Sequence, residues 1–148
     1  MRIVPDTGIL VRSTAKATGP ARALLVQIKA QQHTLILSLF LLNETKRVLR
    51  YPRMQRLYGL NERDIENHVQ FLQEAGELVN PVVATPVVLS DPNDDPVIYT
   101  AVEGRADVLC TLDRDFYTSE VRAFCRQRGI QVMSDVELLQ KLRAKGVH

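Results

Sequence analysis

Short apolar runs alternate along this chain with longer stretches in which apolar residues recur every three or four positions. The first run, Arg2-Ile3-Val4-Pro5, ends in Asp6-Thr7-Gly8 and reads as a strand closing in a turn. Gly19-Pro20 then opens a helix predicted over 21–31, with Leu24, Leu25 and Ile28 on one face. A buried strand follows over 34–37. Ser38 stands at the N-cap of a helix over 39–49, which the ring of Pro52 is expected to end. Ile65, Val69, Phe71 and Leu72 mark a further helix over 61–75, stopped by Gly76.

Residues 78–83 read as a third strand, and Pro81 within it favours an edge position. The acidic turn Asp91-Pro92-Asn93-Asp94-Asp95-Pro96 leads into a helix over 97–105. Residues 107–111 form a fourth strand, followed by Leu112-Asp113-Arg114-Asp115-Phe116 in a layout like that after the first strand. A helix over 120–128 with Gly129 as its stop, a fifth strand over 130–133 and a last helix opened by a Ser134/Glu137 capping box complete the pattern. Strands alternating with helices imply an α/β fold, a three-layer α/β/α sandwich around a central parallel sheet of about five strands.

Length and composition add limits to this picture. The 148 residues fit one domain, 1–148, able to bury roughly two thirds of its unfolded surface. The composition, 45% apolar and 24% charged, is that of an ordinary soluble protein and argues against disorder. No apolar run approaches the ~18 residues of a membrane span and no signal peptide precedes the first strand, so a cytoplasmic location is expected. Cys110 and Cys125 match no metal or redox spacing and read as reduced core thiols; His33, His68 and His148 form neither a zinc site nor a triad. A net charge of +2 does not by itself indicate nucleic-acid binding.

The chemistry lies in the acids. Parallel strands present their carboxyl ends on one edge of a sheet, and ligands bind there, deepest where the strand order reverses. Asp6 and Asp113 follow the first and fourth strands, Glu44 lies near the start of the helix after the second, and Asp95 stands before the helix that precedes the fourth. Two carboxylates about 4 Å apart repel by ~4 kcal/mol at an effective dielectric near 20, so such a group calls for protons or a cation. Oxygen ligands without nearby His or Cys favour Mg²⁺ or Mn²⁺. Such an ion lowers the pKa of a bound water and neutralises charge on a phosphodiester.

Taken in order, Asp6 in Val-Pro-Asp-Thr-Gly-Ile-Leu, Ser38 and Glu44 ahead of Thr-Lys-Arg-Val-Leu, Asp91-Pro-Asn-Asp-Asp95 and Thr111-Leu-Asp113-Arg-Asp115-Phe resemble the PIN domain over essentially residues 1–145. The resemblance is closest to the branch of toxin components of toxin-antitoxin systems. It implies a ribonuclease in which Asp6, Glu44, Asp95 and Asp113 hold Mg²⁺ or Mn²⁺. Asp95 is matched in preference to Asp94 because it directly precedes the helix at Pro96. Ser38, Thr7, Thr111 and Asp115 are expected in support. Arg12, Arg47, Arg50 and Arg53 are the candidate RNA contacts, since phosphate contacts supply most non-specific affinity. The resemblance further implies an RNA substrate, an antitoxin partner and a homodimer. One position departs from it: Gly8 stands where the family places asparagine.

Two other readings compete. One is a binding module for RNA or protein with a vestigial metal site. The other is a different magnesium-dependent nuclease or phosphatase. Asp6-Thr7-Gly8 also spells the aspartic-protease triplet, but that fold is all-β and the helical pattern here excludes it on fold grounds.

Overall fold

The computed structural model describes residues 1–146; the expectation that His148 carries no chemistry lies outside them. Five parallel strands run in the order β3-β2-β1-β4-β5, namely β1 (Arg2–Pro5), β2 (Thr34–Leu37), β3 (Glu77–Leu78), β4 (Val108–Cys110) and β5 (Gln131–Met133). Eight α-helices accompany them, giving the α/β/α sandwich. Ile3, Val4, Ile36, Leu37, Val108 and Leu109 are almost wholly buried, as expected of strands covered on both faces.

The register places Ile3 beside Leu35 on one side and Val108 on the other. On the β4 side pairing continues through Pro5 and Cys110, and the Asp6 amide donates to the Cys110 carbonyl at 3.0 Å. On the β2 side it stops at Ile3. Pro5 has no N–H to donate, so a proline in the central strand is tolerated here because it is the last residue. The chain order reverses between β1 and β4, which makes the ends of these two strands the switch point of the sheet.

Helices α2 (Pro20–Ala30), α3 (Leu39–Leu49), α5 (Glu62–Ala75), α6 (Asp95–Glu103), α7 (Ser119–Arg126) and α8 (Asp135–Gly146) stand close to their expected places. The capping box at α8 is present: the Ser134 amide donates to Glu137 Oε1 at 3.2 Å and the Glu137 amide to Ser134 Oγ at 3.1 Å. Two helices were not anticipated. Thr7–Arg12 forms α1, capped by Asp6, so Gly8 lies inside a helix and not in a turn. Pro52–Tyr58 forms α4: Pro52 occupies the start of a new helix, where its missing N–H costs nothing, and Gly59 closes that helix at φ 64°. The third strand shortens to Glu77–Leu78 at the sheet edge; beyond it the chain is irregular as far as Ser90, a stretch in which Pro81 and Pro86 donate no ladder bonds.

Helix α6 packs against the central strands, and its last turn comes close enough to β2 to need a glycine. A Cβ on Gly104 would lie 2.4 Å from Ile36 Cγ2 and 3.1 Å from the Thr100 carbonyl oxygen. Ile36 is fully buried and has no room to yield. Gly104→Ala is therefore expected to lower stability by about 1–3 kcal/mol in urea denaturation, the cost of overpacking. A variant as stable as the wild type would mean that this contact is not tight.

Candidate active site

The connection from β4 carries the residue that organises the site. Thr111 is fully buried; its Oγ1 donates a short hydrogen bond to Asp6 Oδ2 and accepts from the Asp113 amide at 3.0 Å. The Tyr117 hydroxyl holds the Thr111 carbonyl at 2.6 Å. Asp6, 7% exposed, uses its other oxygen to accept from the Ile9 amide at 3.0 Å, so it both caps α1 and faces the switch point. Asp113 Oδ1 accepts from the Asp115 amide at 3.0 Å, starting a 3₁₀ turn over Arg114–Tyr117.

A cavity of about 240 Å³ opens between these strand ends, lined by Asp6, Thr7, Arg12, Asp94 and Asp113 among others. Asp94 also belongs to a second grouping: one oxygen each of Asp91, Asp94 and Asp115 lies within 4.8 Å of the others. Ser90 Oγ donates to Asp115 Oδ1 at 2.9 Å, and the Asn93 amide to Asp91 Oδ1 at 3.2 Å. Asp94 has no such support. Its Oδ2 is buried without a hydrogen-bond partner among the described residues.

Burial pushes the Asp94 carboxyl up to about 7, with further repulsion from Asp91, Asp113, Asp115 and Asp6. Burial also raises Asp6 above the usual carboxylate range; the bonds from Thr111 and Ile9 oppose this, the charge of Asp113 adds to it, and Arg12 relieves it in part. An orphaned buried carboxylate oxygen among acids that repel one another is the condition a hard cation would remedy. The donors are all oxygens, so the set fits Mg²⁺ or Mn²⁺ better than zinc.

The structure places Asp95, expected among the ligands, away from the acidic cavity. The carboxylate is 3% exposed, and its Oδ1 accepts from the Val87 amide at 3.1 Å and the Val88 amide at 2.8 Å. It ties down the irregular segment before the helix and does not line the cavity that Asp6, Asp94 and Asp113 share. The reason is helix phase. The α-helix begins at Asp95 itself, so Asp94 takes the N-cap place, and one residue along a helix turns a side chain by about 100°. The sequence shows the run of acids Asp91, Asp94 and Asp95 but not which of them faces the sheet edge.

Glu44 lines an adjoining cavity of about 710 Å³ that shares Thr7 and Asp94 with the smaller one. Its carboxylate is held by both Arg47 Nε (3.0 Å) and Nη2 (2.7 Å), and that pairing keeps it below the usual carboxylate range. Ser38 Oγ meets the Leu41 amide at 3.4 Å and the Thr100 hydroxyl at 3.0 Å, a cap and core role with no acid brought to it. Arg12 lines the acidic cavity and Arg47 the larger one, where it also bonds the Tyr51 hydroxyl. Arg50 is paired with Glu62 on α5, and Arg53 is exposed on α4. Cys110 and Cys125 are buried free thiols, as expected.

A sequence profile described as PIN domain matches residues 2–115. The chain belongs to the PIN domain family. PIN domains are typically metal-dependent nucleases, and the acidic cluster is compatible with that activity. Among curated proteins none matches the sequence. No helix among the described residues is long and apolar enough to cross a membrane.

The raised Asp94 carboxyl has a consequence for stability. A carboxyl with a higher pKa folded than unfolded stabilises fully below its ordinary value of 3.8, and that contribution is lost as pH climbs through 7. In EDTA, Asp94→Asn is therefore expected to be more stable than the wild type at pH 8, by on the order of 1 kcal/mol once solvent screening is allowed for. The difference should shrink towards pH 5. Thermal melts across that range check it, and a pH-independent difference would show that Asp94 is not protonated near neutrality.

Proposed function

We propose that this PIN domain is a metal-dependent endoribonuclease whose principal ligands are Asp6, Asp94 and Asp113, with Asp91, Asp115 and Glu44 around them. The observation that carries the reading is Asp94, a half-buried acid whose Oδ2 is buried and unpartnered among the described residues, at the switch point of the sheet and among other acids. Asp6, Asp94 and Asp113 would hold a divalent cation there, and the cation when bound would supply charge neutralisation at the phosphodiester and a more acidic water.

The chain's own residues divide the remaining work. Thr111 fixes Asp6 and Asp113 in mutual position through one hydroxyl. Asp94 completes the ligand set at the edge of the cavity, where a bound cation would hold its carboxylate deprotonated. Arg12 offers a cation to a phosphate at the acidic cavity, and Arg47 offers one at the larger cavity beside Glu44. RNA is the substrate this reading assigns, with Tyr51 and exposed Arg53 extending the contact surface.

The same reading extends to the toxin of a toxin-antitoxin pair, acting in the cytoplasm as a homodimer. Val83, half exposed, lines the larger cavity with Phe40 and gives an antitoxin protein an apolar foothold beside the acids. One observation favours the rival binding module: Glu44 is already satisfied by Arg47, which weakens it as a ligand. Absence of Mn²⁺ binding by calorimetry would decide for that module.

Cleavage of single-stranded RNA with Mn²⁺ or Mg²⁺ tests the assignment of the acids. Asp6→Asn, Asp94→Asn and Asp113→Asn should each lose on the order of 100-fold or more in rate while remaining folded. Asp95→Asn should instead lose about 1–3 kcal/mol of stability, because a neutral amide oxygen serves the Val87 and Val88 amides less well, and keep more activity per folded molecule. If Asp95→Asn is as stable as the wild type and as inactive as Asp94→Asn, the two roles are reversed.

A further inference from the structure

A third cavity, of about 290 Å³, lies at the other end of α1, between the segment after that helix and helix α5. Its walls include Thr14, Arg22, Leu60, Asn67, His68 and Phe71, none of which lines the acidic cavity. Three of these residues carry hydrogen-bonding capacity that the protein itself does not use.

Thr14 is 1% exposed, and its Oγ1 is buried with no hydrogen-bond partner among the described residues. An unsatisfied buried hydroxyl costs about 1–3 kcal/mol and is uncommon in folded proteins. His68 is buried on α5 with Nε2 3.0 Å from the Leu10 carbonyl oxygen. A carbonyl only accepts, so Nε2 carries the hydrogen. Burial holds the ring below its usual pKa, the Leu10 bond opposing and the Arg22 charge assisting. The ring is neutral near pH 7, and Nδ1 is a lone-pair acceptor with no partner among the described residues. Arg22 donates through Nη1 to the Ser13 carbonyl at 3.2 Å and has no ion pair among the described residues. Lys16, on the same rim, is different: Asp64 neutralises it at 3.0 Å and the Gly59 carbonyl binds it at 2.9 Å.

The cavity therefore offers a free cation and a hydroxyl donor for an anionic group. It offers an acceptor for an N–H or O–H. Leu60 and Phe71 provide apolar wall, and Lys29 holds one side of the Phe71 ring at 4.7 Å from its centre. A pocket of this volume is at the lower end of the ligand-site range and suits one ring and its substituents. We infer that this cavity is a binding site for a small organic anion with one aromatic ring and a hydrogen-bond donor, the anion meeting Arg22 and Thr14, the donor meeting His68 Nδ1, and the aromatic ring lying against Phe71. Pyrimidine nucleoside monophosphates and aminoaryl carboxylates both have this chemistry. The site stands independently of the nuclease reading, and the two are joined only by α1, which Asp6 caps at one end and His68 holds at the other through Leu10.

Titration of the full chain in EDTA, followed by amide and histidine-ring NMR, tests this with cytidine 5′-monophosphate, uridine 5′-monophosphate and 2-aminobenzoate in separate arms. At least one should bind saturably below millimolar concentration, with the largest shifts at Thr14, Asn67, His68 and Phe71. The arm that binds more tightly identifies the source. Arg22→Met should weaken binding at least tenfold and Thr14→Val several-fold, whereas Asp94→Asn should leave it unchanged. Should Arg22→Met prove unfolded, Thr14→Val and the wild-type shift map carry the test. No saturable binding in any arm, shifts centred on Asp6, Asp94 and Asp113, or affinity indifferent to Thr14→Val and Arg22→Met would each overturn the proposal.

Discussion

The hydroxyl of Thr111 is the joint on which the candidate site depends. Two parallel strands can bring their carboxyl ends together, but the sheet alone does not decide how the side chains beyond those ends are oriented. One buried hydroxyl does so by donating to Asp6 and accepting from the Asp113 backbone. Serine would retain the chemistry and lose the stiffness of a β-branched residue; valine would retain the shape and lose both bonds. The Tyr117 bond to the Thr111 carbonyl fixes the same residue from its backbone side.

That joint creates an electrostatic problem that the rest of the fold solves only in part. Asp6 receives two donors and a nearby arginine, Asp115 receives Ser90, and Asp91 and Asp113 act as caps. Asp94 receives none, yet it is common to the cavity and to the acidic triad. Buried polar groups in folded proteins are paired in the great majority of cases. Of the buried side-chain oxygens left unpaired among the described residues, Asp94 Oδ2 belongs to a carboxyl that Asp91, Asp113, Asp115 and Asp6 all repel, which is where a bound cation would relieve repulsion.

The alternation of strands and helices, the order of the acids and the edge character of β3 were legible in the sequence because each rests on local pattern. Two helices were not. Pro52 reads equally as the end of one helix and the start of another, and only the packing of Leu49 and Ile65 around Tyr58 and Leu60 shows that the chain turns into α4. Thr7–Arg12 is a six-residue helix, shorter than periodicity can reveal, and its cap is a residue that also lines the acidic cavity. The sequence does not separate Asp94 from Asp95, for the same kind of reason. A proline near the start of a helix leaves the first helical residue uncertain by one, and in a helix one residue is enough to exchange a cavity acid for a loop tether. The cavity beside α5 is not legible in the sequence, since His68 and Thr14 come to line one space only through the contact of α5 with the end of α1.

Gly8 shows how local conformation and site chemistry can pull apart. Its backbone does not demand glycine: a Cβ there would meet only Asp6 Oδ1, at an ordinary 3.6 Å. In the first turn of α1 glycine weakens the helix, an effect worth roughly 0.5–1 kcal/mol against alanine in a helix interior. The missing asparagine is therefore not a concession to backbone geometry. The asparagine that the resemblance implies at this position would add an amide near Asp6 Oδ1 at the wall of the acidic cavity. With the amide gone, the orientation of Asp6 rests on Thr111 and the α1 amide of Ile9, so this chain concentrates on the strand joint a task that an asparagine at position 8 would share.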